Sequence, residues 1–149
     1  MILSTKGRYA LIAMAYMARK GLFEKSSVSE ISESQGISQT YLEQLFMRLR
    51  KASLLKSVRG AGGGFRLNMH PKKIRVHDIM KAVDENFEAV DVSQSAFKNQ
   101  IKTNEYILSE KFWEQFSSQI YLFMHKITLQ DIASDSMEPC QAVINFVKN

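Results

Sequence analysis

The chain has 149 residues, 45% of them hydrophobic and 23% charged, which excludes wholesale disorder and suits one domain or a small domain with an oligomerisation arm. The formal net charge is +5, but residues 1–81 carry fifteen Lys/Arg against five Asp/Glu, whereas residues 82–149 carry five against ten. That asymmetry confines a polyanion-facing surface to the front half, and the single cysteine, Cys140, excludes an intrachain disulfide and suits a reducing compartment.

Lys6 and Arg8 precede an apolar run over residues 9–18, and Ala13-Met14-Ala15 mimics a secretory cleavage signal. The small-residue motif sits inside the run, however, and Arg19 and Lys20 close it. The run is also too short to span a bilayer. The reading is therefore a buried helix of a cytoplasmic protein, capped at Ser4 or Thr5 and ended at about Lys20 by Gly21. Apolar residues cover most of its circumference, so it is expected to be the central core helix.

A short helix follows at about residues 28–35, with Ser26, Ser27 or Ser29 as its cap. Gly36 suits a tight turn of positive φ, and Ser38 is placed to cap the next helix, about residues 39–52. Two short helices joined by a glycine turn outline a helix-turn-helix. In the second helix, Leu42, Leu45, Phe46 and Leu49 fall on one side, and Thr40, Glu43, Gln44, Met47 and Lys51 roughly opposite. The apolar side locks onto the core and the polar side is free to read base edges. Gln pairs with adenine, Glu accepts from the cytosine amino group, and Thr serves several bases. Tyr41, Arg48, Arg50 and Lys51 flank that face where phosphates would lie, and Ser38 with the helix N-terminus offers N–H groups to a phosphate.

Residues 54–67 read as a β-hairpin connected by Gly60-Ala61-Gly62-Gly63-Gly64. The stretch lacks the Gly-Lys-Ser/Thr ending of a P-loop and the spacing of a dinucleotide fingerprint. It makes sense as a wing. Gly60 and Gly62 let the backbone approach DNA, Arg59 enters the minor groove, and Lys56 and Arg66 add phosphate contacts. Thr5 and Lys6, at the start of the first helix, complete the expected backbone-contacting set.

Pro71 breaks the chain, and residues 76–85 form another expected helix with Val76, Ile79, Met80 and Val83 on one face. Residues 86–104 show no clear period and read as a loop. A long helix then spans about residues 105–126. Trp113, Phe116, Ile120, Phe123 and Ile127 follow a heptad spacing, widened by Leu108, Phe112 and Met124. So much apolar surface on one helix points to a homodimer, and two-fold symmetry then implies a pseudo-palindromic DNA site. No nucleophile with a base, no paired carboxylates and no metal motif point to an enzyme.

Several ordered segments carry a family resemblance: Ser4-Thr5-Lys6-Gly7-Arg8-Tyr9-Ala10, residues 31–38, Tyr41-Leu42-Glu43-Gln44-Leu45-Phe46, Leu49-Arg50-Lys51 and residues 58–65. Together they resemble the Rrf-type bacterial winged-helix regulators, most of all the IscR-like repressors of iron–sulfur cluster assembly. The match is strong over residues 1–85 and looser over 105–132. The resemblance implies a dimeric transcription factor, mainly α with a small β-hairpin wing: a winged helix-turn-helix plus a long C-terminal dimerisation helix. It also implies that Glu43 and Gln44 read bases and that Arg59 serves the minor groove.

The expected organisation is a DNA-binding domain at 1–85, a loop at 86–104, a dimerisation helix with a short return segment at 105–132, and a tail at 133–149. The sequence departs from the IscR-like pattern at the sensor. Relatives use three cysteines and a histidine near the start of the dimerisation helix to hold a [2Fe–2S] cluster, whereas residues 91–110 contain neither type here. Arg8 and Ile12 offer no ligand where some relatives supply a non-cysteine one. No cluster is expected, and His70, His77 and His125 are dispersed along the chain. The expected partners are double-stranded DNA and a second copy of the chain, with no membrane. The alternative is a module whose basic face docks an acidic protein, or that senses a small effector.

Overall fold

The computed structural model describes residues 4–85 and 103–137. Helix α1 (Thr5–Lys20) runs through the middle of the N-terminal core. Its Ala10, Ala13, Met14 and Met17 recur at helical spacing and are all buried. Ser4 occupies its N-cap position, but its side chain makes no cap bond. The orphan donors of the first turn are met instead from the far end of the domain. Glu85 accepts from the Ser4 amide at 2.9 Å, from the Gly7 amide at 3.2 Å and from the Ser4 hydroxyl. Gly7 leaves room for this, because a Cβ there would lie 2.8 Å from the Met80 sulfur and 3.0 Å from a Glu85 oxygen.

Helix α2 (Val28–Gln35) is capped by Ser27, whose hydroxyl accepts from the Glu30 amide at 3.0 Å. It ends at Gly36, which takes φ 65°, a conformation that costs a side-chain-bearing residue energy. The Ser32 hydroxyl donates to the Ile37 carbonyl at 2.6 Å and closes the turn. Helix α3 (Gln39–Lys51) follows, with Leu42, Leu45, Phe46 and Leu49 buried as the periodicity requires. Ser38 holds the N-cap position without the expected side-chain bond.

Strands β1 (Leu55–Val58) and β2 (Gly64–Leu67) pair antiparallel, with Leu55 opposite Leu67 and Lys56 opposite Arg66. A third backbone segment joins them. Ser26 exchanges hydrogen bonds of 2.8 and 2.9 Å with Phe65. A Cβ on Gly64 would lie 2.5 Å from the Ser26 carbonyl oxygen, so this close approach requires glycine.

A 3-10 turn at Pro71–Lys73 leads into helix α4 (Val76–Ala82). Val76, Ile79, Met80 and Val83 are buried on the expected face. The helix stops three residues before the expected end at 85, because Asp84 adopts φ 54° and turns Glu85 toward α1. Helix α5 (Asn104–Lys126) is capped by Thr103, and α6 (Leu129–Ala133) by a reciprocal Thr128–Asp131 pair. The return segment belongs to the N-terminal core. Leu129 is fully buried there, its amide donates to the Ile74 carbonyl at 2.8 Å, and the Val76 amide donates to the Ile127 carbonyl at 3.0 Å. The loop expected at 86–104 lies almost wholly outside the described residues, as does most of the 133–149 tail with Cys140.

Candidate nucleic-acid interface

The burial of Leu42, Leu45, Phe46 and Leu49 fixes the rotation of α3, and Thr40, Glu43, Gln44, Met47 and Lys51 are consequently exposed. The side-chain amide of Gln39 donates to the Glu43 carboxylate at 3.3 Å, one helical turn on. Tyr41 is half-buried and meets Tyr9 edge-on at 5.8 Å between ring centres, which ties the flank of α3 to α1. The rings of Phe46 and Phe65 meet edge-on at 5.1 Å and seat the wing against the same helix.

The wing presents a cationic edge. Lys56 and Arg66 stand directly opposite each other across the strand pair, and Arg59 is exposed at the start of the tip. Gly60 and Gly62 in the tip have φ 107° and 65°. Among the described residues Lys51, Lys56, Arg59 and Arg66 have no acidic partner. Like charges directly opposite on a strand pair repel, so this edge is better off against an anion. Arg50 reaches across from α3 to the Ser57 hydroxyl at 3.2 Å and bridges helix and wing.

Other expected contacts are already engaged. Arg48 is drawn to the Asp84 carboxylate and, at 3.5 Å, to the Val83 carbonyl at the end of α4. The Lys6 ammonium donates to the Asp84 carbonyl at 3.2 Å, and Thr5 beside it is exposed.

Lys25 is a cation of this surface that sequence reading missed. Its ammonium lies 3.4 Å from the Ala61 carbonyl at the wing tip. No local signal marks it, since it reaches the tip only because Ser26 pairs with Phe65.

The histidines are less dispersed than their sequence positions imply. His77 and His125 lie 3.8 Å apart between ring centres, and Tyr121 contacts both. His70 lies elsewhere, and its Nδ1 accepts from the Lys72 amide at 3.2 Å. The two rings are tilted 32° to each other, and two imidazoles alone fall short of the three or four protein ligands of a typical zinc site. No group of three or more His, Cys, Asp or Glu able to hold a metal ion occurs among the described residues.

On α5 the expected seam stands open. Trp113, Phe116 and Phe123 are exposed, as are Leu108 and Phe112 beside them, and none of the 23 residues of α5 is buried in the described structure. Ile120 is half-buried, and Ile127 lies one residue beyond the helix in extended backbone. No helix of the described residues is long and apolar enough to cross a membrane.

A helix-turn-helix whose second helix shows a polar face, followed at once by a basic two-stranded wing, defines a winged-helix DNA-binding regulator rather than an enzyme. Residues 3–135 match the Rrf2 family, described as iron-dependent transcriptional regulators, and the chain belongs to that family. The HTH-type transcriptional regulator IscR of Cereibacter sphaeroides is 42% identical over 145 residues, which span 96% of this chain and 94% of that protein. IscR of Vibrio cholerae is 41% identical over 136 residues, spanning 91% of this chain and 77% of that protein. Among solved structures, T. potens IscR superposes with a TM-score of 0.72 at 34% identity, covering 97% of this chain and 96% of that one. CymR, the global cysteine regulator of B. subtilis, superposes with a TM-score of 0.76 at 31% identity, covering 90% and 97%.

The family's iron dependence raises the question of fit. Thiolates are the usual ligands of iron–sulfur clusters, and this chain has one cysteine, Cys140. The donor set does not fit a cluster held by several cysteines of one chain.

Proposed function

We propose that the protein is a sequence-specific transcriptional regulator of the cytoplasm that binds a pseudo-palindromic DNA site as a homodimer. The observation that carries this reading is the surface of α3 and wing, where exposed polar side chains of α3 are bordered by Lys51, Lys56, Arg59 and Arg66, which have no acidic partner among the described residues. Thr40, Glu43 and Gln44 read base edges in the major groove, and Arg59 enters the adjacent minor groove. Tyr41, Arg50 and Lys51 on α3, with Lys56, Arg66 and the backbone at Gly60 and Gly62 on the wing, hold phosphates. Thr5, Lys6 and the N-terminus of α3 at Ser38 extend that footprint. Arg48 joins it by exchanging its Asp84 partner for a phosphate.

Helix α5 supplies the dimer. A 23-residue helix with no buried side chain and a stripe made of Trp113, Phe116, Ile120 and Phe123 is half of an interface. Ile127, at the end of the stripe, joins that contact to the N-terminal core through the Val76 amide. We further infer that the regulator works without a cysteine-ligated cluster, because its donor set lacks the thiolates.

The test is a selection of duplexes from a random pool by the purified chain, followed by binding titrations at several salt concentrations. One preferred sequence with two half-sites and a steep salt dependence is expected. Absence of binding to any duplex at low salt would overturn the reading in favour of a basic face that docks an acidic protein.

A further inference from the structure

A run of polar contacts links α2, α1 and the wing tip. Glu30, in the first turn of α2, accepts from the Tyr16 hydroxyl at 2.8 Å and from the Lys20 ammonium at 2.6 Å, both on α1. The same Lys20 ammonium donates to the Lys25 carbonyl at 3.0 Å. Lys25 in turn donates from its own ammonium to the Ala61 carbonyl at 3.4 Å, and the next residue, Ser26, is paired in backbone to Phe65. The segment between α1 and α2 is thus held at residues 25–26 from two sides, by Lys20 of α1 and by the wing.

The hydrogen bonds from Lys20 and Tyr16 keep the Glu30 carboxyl below the usual range, and the bond to Glu30 raises Lys20. None of the three side chains forms part of the hydrophobic core apart from the half-buried ring of Tyr16. A two-stranded hairpin is by itself marginally stable and free to tilt. Its orientation is therefore set by what touches it. Leu55 and Leu67 anchor its base in the core, and farther toward the tip it is touched by Phe46 at Phe65, by Arg50 at Ser57 and by the 25–26 segment along its outer edge.

We propose that the Tyr16–Glu30–Lys20 cluster is a positioning device for the wing, which through residues 25 and 26 sets where Arg59 lies relative to α3. This rests on the reading of the wing as a DNA contact. Releasing the cluster leaves α3 and its base-reading face in place and loosens only the angle of the tip. Its effect on DNA binding then runs through Arg59.

A double-mutant cycle on the full-length dimer tests this, with the duplex selected by the unaltered chain as probe. Glu30→Gln is expected to weaken binding about fivefold with Arg59 present and less than about twofold in an Arg59→Ala background, a coupling of ordinary size for interacting sites. Thermal unfolding of each variant checks that the fold is kept. Should Glu30→Gln fail that check, Tyr16→Phe, which removes one hydroxyl, is expected to show the same coupling on a smaller scale. Equal losses in both backgrounds, or no loss in either, overturn the positioning role while the wing contact stands. If Arg59→Ala itself leaves binding unchanged, the wing contact falls and the positioning role falls with it.

Discussion

Glu43 and Glu85 are two carboxylates with opposite tasks. Glu43 lies exposed on the α3 face among groups that favour DNA, yet its charge repels phosphates. On the proposed reading it gains only where it meets a cytosine amino hydrogen, and its task is then to discriminate rather than to attract. Glu43→Ala is expected to relax the preference at one base pair per half-site, read from titrations against single-base variants of the selected duplex. Uniform weakening across all variants would exclude that role. Glu85 does structural work instead, as the anionic cap of α1 supplied from 81 residues away. Burial pushes its pKa up, but the Ser4 hydroxyl, the Ser4 and Gly7 amides and the Lys6 charge more than offset this, and the net shift is downward. A carboxylate with a depressed folded pKa contributes stability that is fully present above its unfolded value, about 4.3, and lost as pH falls through the folded value. Glu85→Ala is accordingly expected to cost about 1–2 kcal/mol near neutral pH, the size of a lost helix cap. In urea titrations the gap between the two proteins should close below about pH 4.

At the scale of elements, the wing shows how stability and binding are traded. Lys56 and Arg66 face each other across β1 and β2, an arrangement that repels in the free protein and is relieved by an anion. Lys56→Ala is expected to leave the melting temperature unchanged or slightly raised. It should also lower the slope of log affinity against log salt by about one for each protomer's contact. An unchanged slope would place Lys56 off the phosphate track. Gly64 belongs to the same element, and its side-chain hydrogen faces the Ser26 carbonyl at a distance no Cβ can share. Gly64→Ala must push the 25–26 segment off the wing, at a cost of about 1–3 kcal/mol of stability, measured by chemical denaturation. The glycines of this stretch, legible in sequence as the connection of a wing, thus include one required by the third backbone segment packed beside it.

At the scale of the whole molecule, α5 carries the exposed apolar surface of the chain's acidic half. The acidic back half contributes the helix that carries an apolar stripe, with Phe112 60% and Phe123 57% exposed. Phe116→Glu sets a carboxylate in the middle of that stripe, where a second copy would have to bury it unpaired. Sedimentation should then show a monomer at micromolar concentration, and affinity for the two-half-site duplex should fall at least about a hundredfold as each protomer binds alone. A dimer that survives this change would move the interface elsewhere. The sensor question belongs to this scale too. Protein purified without oxygen is expected to be colourless and free of stoichiometric iron. A visible charge-transfer band with matching iron and sulfide would show a cluster held by other ligands, and would restore the iron dependence that the family description carries.

The helix-turn-helix, the wing, the basic front and the outward face of α3 were legible in the sequence, because each rests on local chemistry. Helical period selects Leu42, Leu45, Phe46 and Leu49 for the core, a left-handed turn selects Gly36, and a five-residue glycine-rich connection marks a hairpin. What only the tertiary structure decided is how polar groups pair across the chain. Glu85 caps α1, Asp84 takes Arg48, Ser26 joins the wing, α6 returns to the N-terminal core, and His77 packs against His125. A buried apolar residue needs only to face inward, which periodicity along the chain encodes. A hydrogen bond or ion pair needs one partner at one distance, and many sequence-distant candidates offer the same chemistry until the packed core brings one of them within reach.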